Sequence, residues 1–133
     1  MRAMARVEQL TEKSQIAAEW HPLVDRIVAA RGRLAGPYSI LLYTPAVADR
    51  VDQVAGALRS DVEVDAVSHV LTALAVARAR DCLFVWSVQA PNARRAGVSD
   101  EAISAIKERR TDGLTDDQKD IVSYAQQLAT SNR

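Results

Sequence analysis

Apolar positions along this chain recur mostly at three- and four-residue spacings, the period of an amphipathic helix. Two-residue alternation appears only in the short run Val62-Glu63-Val64-Asp65. That run follows Ser60, and Ser60-x-x-Glu63 has the form of a capping box, so it is read as a helix start. The first predicted helix runs from near His21 to Arg31, with Pro22 in its first turn and Leu23, Ile27 and Ala30 as its stripe. Gly32 to Pro37 is a break. A short turn, Tyr38 to Tyr43, leads to Thr44-Pro45, an N-cap followed by proline at the first helical position. The helix it opens spans about Pro45 to Leu58, with Val47, Val51, Val54 and Leu58 on one face. A third begins near Asp61 and continues to about Arg80. Its segment from Val70 to Ala79 is apolar on nearly every side, which predicts a central buried helix.

The pattern continues with a helix over Cys82 to Ala96, closed by Gly97. Pro91 lies inside it and should kink or split it. Ser99 caps the next helix, with Asp100 and Glu101 in the first turn, Ile103 and Ile106 on the buried side, and Lys107, Arg109 and Arg110 at its end. Thr115-x-x-Gln118 is a second capping box. It opens a last helix through Leu128 with the stripe Ile121, Tyr124, Ala125 and Leu128. The reading is therefore all-α, about six helices joined by short loops. Residues 1–19 are taken as an N-terminal segment and 20–133 as one helical domain.

Composition agrees with a single small domain: 133 residues, 48% hydrophobic and 26% charged, with alanine, the best helix former, abundant. Seventeen Lys+Arg balance seventeen Asp+Glu, which argues against a general nucleic-acid binder. One cysteine excludes an intrachain disulfide and a Cys-based zinc cluster, and two histidines leave little room for a His-rich metal site. No apolar run approaches the roughly 20 residues that span a bilayer, and Met1 to Lys13 lacks the apolar core of a signal peptide. The expectation is a cytoplasmic protein without membrane or nucleic-acid partners. Two Trp, three Tyr and one Phe make a thin core for a monomer, so a homo-oligomer is expected.

Few residues could carry chemistry. Cys82 falls at a helix N-terminus, where a thiolate is favoured, and is otherwise a small buried apolar side chain. Trp86 and Gln89 follow at helical spacing and share its face, as an apolar wall and an amide would in a small-molecule pocket. His69 is a candidate general base or a helix-face histidine. His21 is a helix-entry residue. Arg94, Arg95, Arg109 and Arg110 read as solvated faces or helix-end charges, with an anionic substrate as the alternative.

Three segments in order resemble the carboxymuconolactone decarboxylase family, which includes the alkylhydroperoxidase D-like proteins. Arg31-Gly-Arg-Leu-Ala-Gly-Pro-Tyr-Ser-Ile-Leu-Leu-Tyr-Thr-Pro45 is similar to the family's Gly-Pro-aromatic, Leu-Leu-His-Ser-Pro element. Val70 through Gln89 is similar to its long apolar helix and the motif that follows, with Phe84-Val85-Trp86-Ser87-Val88-Gln89 in the motif's place. Ala93 through Ile103 is similar to its turn into the next helix. The resemblance covers roughly residues 20–130. It implies an alkylhydroperoxidase D-like helical domain that assembles as a trimer or hexamer, with pockets near subunit contacts and no cofactor.

The resemblance also says where the family's ionisable residues fall. Its central-helix glutamate falls on Val70, its second Cys or Glu on Val85, its motif histidine on Gln89, and the Leu-Leu-His histidine on Tyr43. Only Cys82 matches. A decarboxylase needs a proton carrier, and Gln89 cannot be one. A two-cysteine peroxidase needs a resolving thiol, and Val85 cannot supply it. The pocket expected is neutral, with Tyr43, Gln89, Cys82 and His69 as candidate catalytic residues and Trp86, Phe84, Val85 and Val70 as its walls. Two readings follow. One is a lyase or isomerase on a small lactone or carboxylated ring, with Tyr43 or His69 carrying the proton. The other is a non-catalytic oligomeric binding or scaffold member, with a one-cysteine thiol protein as a further variant.

Overall fold

A computed structural model of the chain describes residues 6–60 and 63–131. Among the described residues there are seven α-helices and no strand. The chain divides into two compact units, residues 1–62 and 63–133. The boundary falls inside the span 20–133 that the sequence reading takes as one domain.

The first unit opens with two 3-10 turns, Lys13–Gln15 and Ala18–Trp20, followed by α1 (His21–Arg31), α2 (Tyr38–Leu41) and α3 (Pro45–Ser60). Its core gathers Leu10, Ile16, Leu23, Val24, Ile27, Leu34, Tyr38, Leu42 and Ala48. The residues ahead of α1 therefore contribute core side chains of their own. The Leu10 amide donates to the Ser39 carbonyl at 2.9 Å, and His21 Nε2 lies 3.0 Å from the Ile16 carbonyl oxygen.

The apolar stripe of α3 behaves differently from a core face. Val47, Val51, Val54 and Leu58 are all exposed, and the side chains that α3 buries are Ala48 and Asp52. The helix is amphipathic, but the neighbours available in its own unit cover the other face.

The second unit holds α4 (Ala66–Ala79), α5 (Leu83–Arg95), α6 (Asp100–Lys107) and α7 (Asp116–Thr130). As its composition predicts, α4 is central: α5, α6 and α7 all pack on it, and Leu71, Leu74 and Ala75 are wholly buried. Ala93, Ala102, Ile103, Ala105, Ile106, Val122 and Ala125 close the core around it. The start of α4 is later than the sequence suggests. Its N-cap is Asp65, whose carboxylate accepts the Ser68 amide at 2.9 Å. Ser60 instead ends α3, with its hydroxyl donating to the Gly56 carbonyl at 3.0 Å. The expected start near Asp61 lies outside the described residues.

Helix α5 runs through Pro91 without a break and ends where expected, with Gly97 at φ 92°. Ser99 caps α6 by accepting the Ala102 amide at 3.1 Å. Thr115 and Gln118 make both bonds of their capping box at the start of α7. On α7 the stripe is half right: Ala125 is buried and Ile121 packs on the core, but Tyr124 and Leu128 point outward and Val122 takes the inner place. Among the described residues no helix is long and apolar enough to cross a membrane.

Candidate functional site

Three helix ends meet in the second unit: the C-terminus of α4, the N-terminus of α5 and the C-terminus of α6. Helix α4 stops because Asp81 turns left-handed, at φ 49°, which lets the Cys82 amide reach back to the Ala77 carbonyl at 2.8 Å. Helix α6 stops the same way: Arg109 is at φ 59° and the Arg110 amide donates to the Ala105 carbonyl at 2.8 Å. Glycine normally fills such positions, because a Cβ crowds the left-handed backbone.

The two strained residues also contact each other, since Arg109 lies 3.6 Å from the Asp81 carboxylate. Arg78 binds the same carboxylate, and its Nε donates to the Lys107 carbonyl at 2.6 Å. Arg109 NH2 reaches the Arg78 carbonyl at 3.4 Å. The ends of α4 and α6 are thus clasped by side chain and backbone together.

Between them opens a cleft of about 290 Å³, lined by Ala77, Arg78, Asp81, Cys82, Leu83, Trp86 and Lys107. Its walls are mainly apolar. Cys82 is the N-cap of α5 and is half-buried; no side-chain capping bond is made there. Trp86, one turn on, packs one side against the core and lines the cleft with another. Leu83 is 82% exposed.

The structure thus brings together Cys82 and Trp86 from the expected pocket. Gln89 lies further along α5, half-buried, with its carbonyl accepting from Asn92 Nδ2 at 3.2 Å, and is not part of the lining. Val70 is buried in the core cluster, Val85 is half-buried and Phe84 is exposed. His69 is half-buried on α4, outside the lining of the cleft. Tyr43 belongs to the first unit, where its hydroxyl donates to the Glu8 carbonyl at 3.0 Å. Lys107 was legible as a helix-end charge, and Arg109 as that, as part of a solvated face or as a partner for an anionic substrate. The meeting of Arg109 with Asp81 depends on two left-handed turns at residues that are not glycine, a feature that residue spacing does not encode.

A second charged group, also missed by the pattern, sits in the first unit. Asp52 is only 6% exposed. It accepts from Arg26 Nε at 3.0 Å and from the Tyr38 hydroxyl at 3.2 Å. Arg31 NH1 lies 2.9 Å from it, buried and out of hydrogen-bond alignment. Arg31 also donates to the Tyr38 hydroxyl at 2.8 Å and stacks 4.2 Å above the ring. Arg26 pairs in addition with Asp49.

Burial pushes the Asp52 pKa up, but the Arg26 hydrogen bond, the Arg31 charge and the Tyr38 hydroxyl together outweigh it, and the carboxyl is held below its usual range. Burial first, with the Asp52 charge behind it, raises the Tyr38 phenol despite Arg31. Its geometry is that of a brace joining α1, α2 and α3.

Among the described residues no three His, Cys, Asp or Glu side chains gather as a metal site would require. Compared with known proteins, the chain matches the family model described as the carboxymuconolactone decarboxylase family over residues 45–127, more than half its length. No curated protein and no solved structure matches it significantly.

Proposed function

The chain belongs to the carboxymuconolactone decarboxylase family, and from that premise we propose that it is a small-molecule-binding member, not a decarboxylase working through the family's usual residues. The observation that carries this reading is the cleft at the start of α5, with Cys82 and Trp86 in an apolar wall. A cleft of this size and lining suits a compact ligand. The ionisable groups that line it are Arg78, Asp81, Cys82 and Lys107, with no histidine or glutamate among them, and Asp81 is engaged by Arg78. Of the two valines at ionisable positions of the family pattern, Val70 is packed in the core and Val85 is half-buried.

The test is turnover of a small lactone carboxylic acid by the purified protein. No saturable activity is expected above buffer. Saturable turnover that falls in Tyr43→Phe, His69→Ala or Gln89→Ala, with the fold intact by circular dichroism, overturns the binding reading in favour of a lyase or isomerase.

One observation favours a second reading: the chain's single cysteine lines the cleft. A Cys82 thiolate could attack a peroxide, breaking the O–O bond to give a sulfenic acid and an alcohol. Two equivalents of an external thiol would then restore the thiol through a mixed disulfide, releasing water and the external disulfide. Peroxide consumption unchanged in Cys82→Ser removes it. Either reading includes a homo-oligomer, trimer or hexamer, supported by apolar side chains left exposed on α3, α5 and α7.

A further inference from the structure

The ends of α4 and α6 cap each other. Arg78, near the end of α4, donates from Nε to the Lys107 carbonyl at the end of α6, at 2.6 Å. Arg109, just past the end of α6, reaches the Arg78 carbonyl at 3.4 Å. Each guanidinium thus meets a carbonyl at the negative end of the opposite helix, where a cation is favoured. Asp81 is the counter-ion for both: Arg78 pairs with its carboxylate, and Arg109 lies 3.6 Å from the same oxygen. Arg78, Asp81 and Lys107 also line the cleft, so this exchange forms one of its walls. Asp81 and Arg109 hold φ of 49° and 59° in and beside that wall. Strained backbone of this kind persists only where its surroundings hold it, and it gathers at clamps and switches.

We propose that Arg78, Asp81 and Arg109 form a salt-sensitive latch on the cleft. Closed, it holds the end of α6 against the end of α4. Released, it lets that wall draw back from Cys82 and widens the way in. As a device governing access to the site argued above, it rests on that reading. The latch is placed to open easily. The side chains of Asp81 and Arg109 are 72% and 54% exposed, so the carboxylate that joins the two guanidinium groups stands in water. Ion pairs in water hold weakly and are screened by salt. Without that carboxylate, Arg78 and Arg109 are like charges held close, and both left-handed turns lose a contact that offsets their strain. Ala77 on α4 and Ile106 on α6 are buried, which confines the movement to the chain beyond them.

The chain's single thiol, Cys82, reports on the wall. Two uncharged reagents, N-ethylmaleimide and the bulkier N-(1-pyrenyl)maleimide, are compared at one pH by intact mass, each rate taken relative to glutathione. The same thiolate attacks both, so a change in thiolate fraction scales the two rates alike and leaves their ratio unmoved. In wild type the bulky-to-small ratio should rise severalfold as sodium chloride goes from about 0.01 M to about 1 M, over which the screening length falls from roughly 30 Å to roughly 3 Å. In Asp81→Asn, whose side chain tolerates a left-handed turn, the ratio should already be high at low salt and respond no further. Circular dichroism checks that variant; should it not fold, Asp81→Gly, which also fits the turn, takes its place. A wild-type ratio that salt leaves unchanged overturns the latch. So does a variant ratio that stays at the low-salt wild-type value or still responds to salt. Either failure leaves the binding reading to its own test, because no ligand is used.

Discussion

Asp52 is the residue on which the first unit's polar interior turns. A carboxylate this buried is stable only because Arg26, Arg31 and Tyr38 surround it. Replacing it with asparagine keeps the size and removes the charge, leaving the buried Arg31 NH1 without its counter-ion. Asp52→Asn is expected to cost about 2–4 kcal/mol, read as a lower urea midpoint at pH 7. The lowered pKa fixes the sign of the pH dependence. Stability from Asp52 is complete above the unfolded value of roughly 3.9 and is lost as pH falls from there through the folded value. Wild type should lose stability over that acid range more steeply than Asp52→Asn; parallel curves would show the brace to be idle. Tyr38 works at the other end. Its raised pKa makes its contribution complete below the unfolded value of about 10 and lost as pH rises past it.

At the same scale, Arg109 carries a left-handed backbone on a side chain that resists it. Arg109→Ala and Arg109→Gly both delete the exposed contact with Asp81, but only glycine relieves the strain. The glycine variant should be the more stable of the two by about 1 kcal/mol, compared by thermal unfolding. Gly113 is the converse case: it sits at φ 86°, and an added Cβ would lie 2.7 Å from Glu101 Cγ, so glycine is already the residue that fits there.

Elements whose rules are local were readable in advance. Thr115 and Gln118 announce the start of α7, and the structure shows both reciprocal bonds. Thr115→Ala should destabilise by about 1 kcal/mol, because it frees the Gln118 amide on a helix whose Val122 and Ala125 are core. Serine at the same place should restore most of the loss. The central position of α4 was legible for the same kind of reason: a helix apolar all round must be covered all round. What could not be read was which face of a two-sided helix finds cover. Helix α3 shows Val47, Val51, Val54 and Leu58 at ideal spacing, yet buries Asp52, because two arginines and a tyrosine from other elements make a carboxylate acceptable inside. Of the site, Cys82 and Trp86 could be paired by spacing along one helix. Lys107 and Asp81 could not, because two chain reversals bring them there.

For the whole molecule, the exposed apolar side chains decide what state to expect in solution. Val54 and Leu58 on α3, and Tyr124 and Leu128 on α7, stand one turn apart in pairs with more than half of each surface open to water. Scattered apolar residues on a surface need no explanation, but paired ones on amphipathic helices are the usual mark of an interface. A stable interface covers roughly 1,600 Å² in total, so one such stripe is too small alone and several faces must contribute. Light scattering should therefore give a multiple of the 14.5 kDa chain mass at micromolar concentration. The double change Val54→Asp with Leu58→Asp, or Tyr124→Asp with Leu128→Asp, should move the mass toward one chain. Helix content should hold, because none of the four side chains belongs to either core. A wild-type mass of one chain would leave these faces as ordinary surface and remove the support they give to assembly, while the cleft at Cys82, built wholly within one unit of one chain, would keep its own argument.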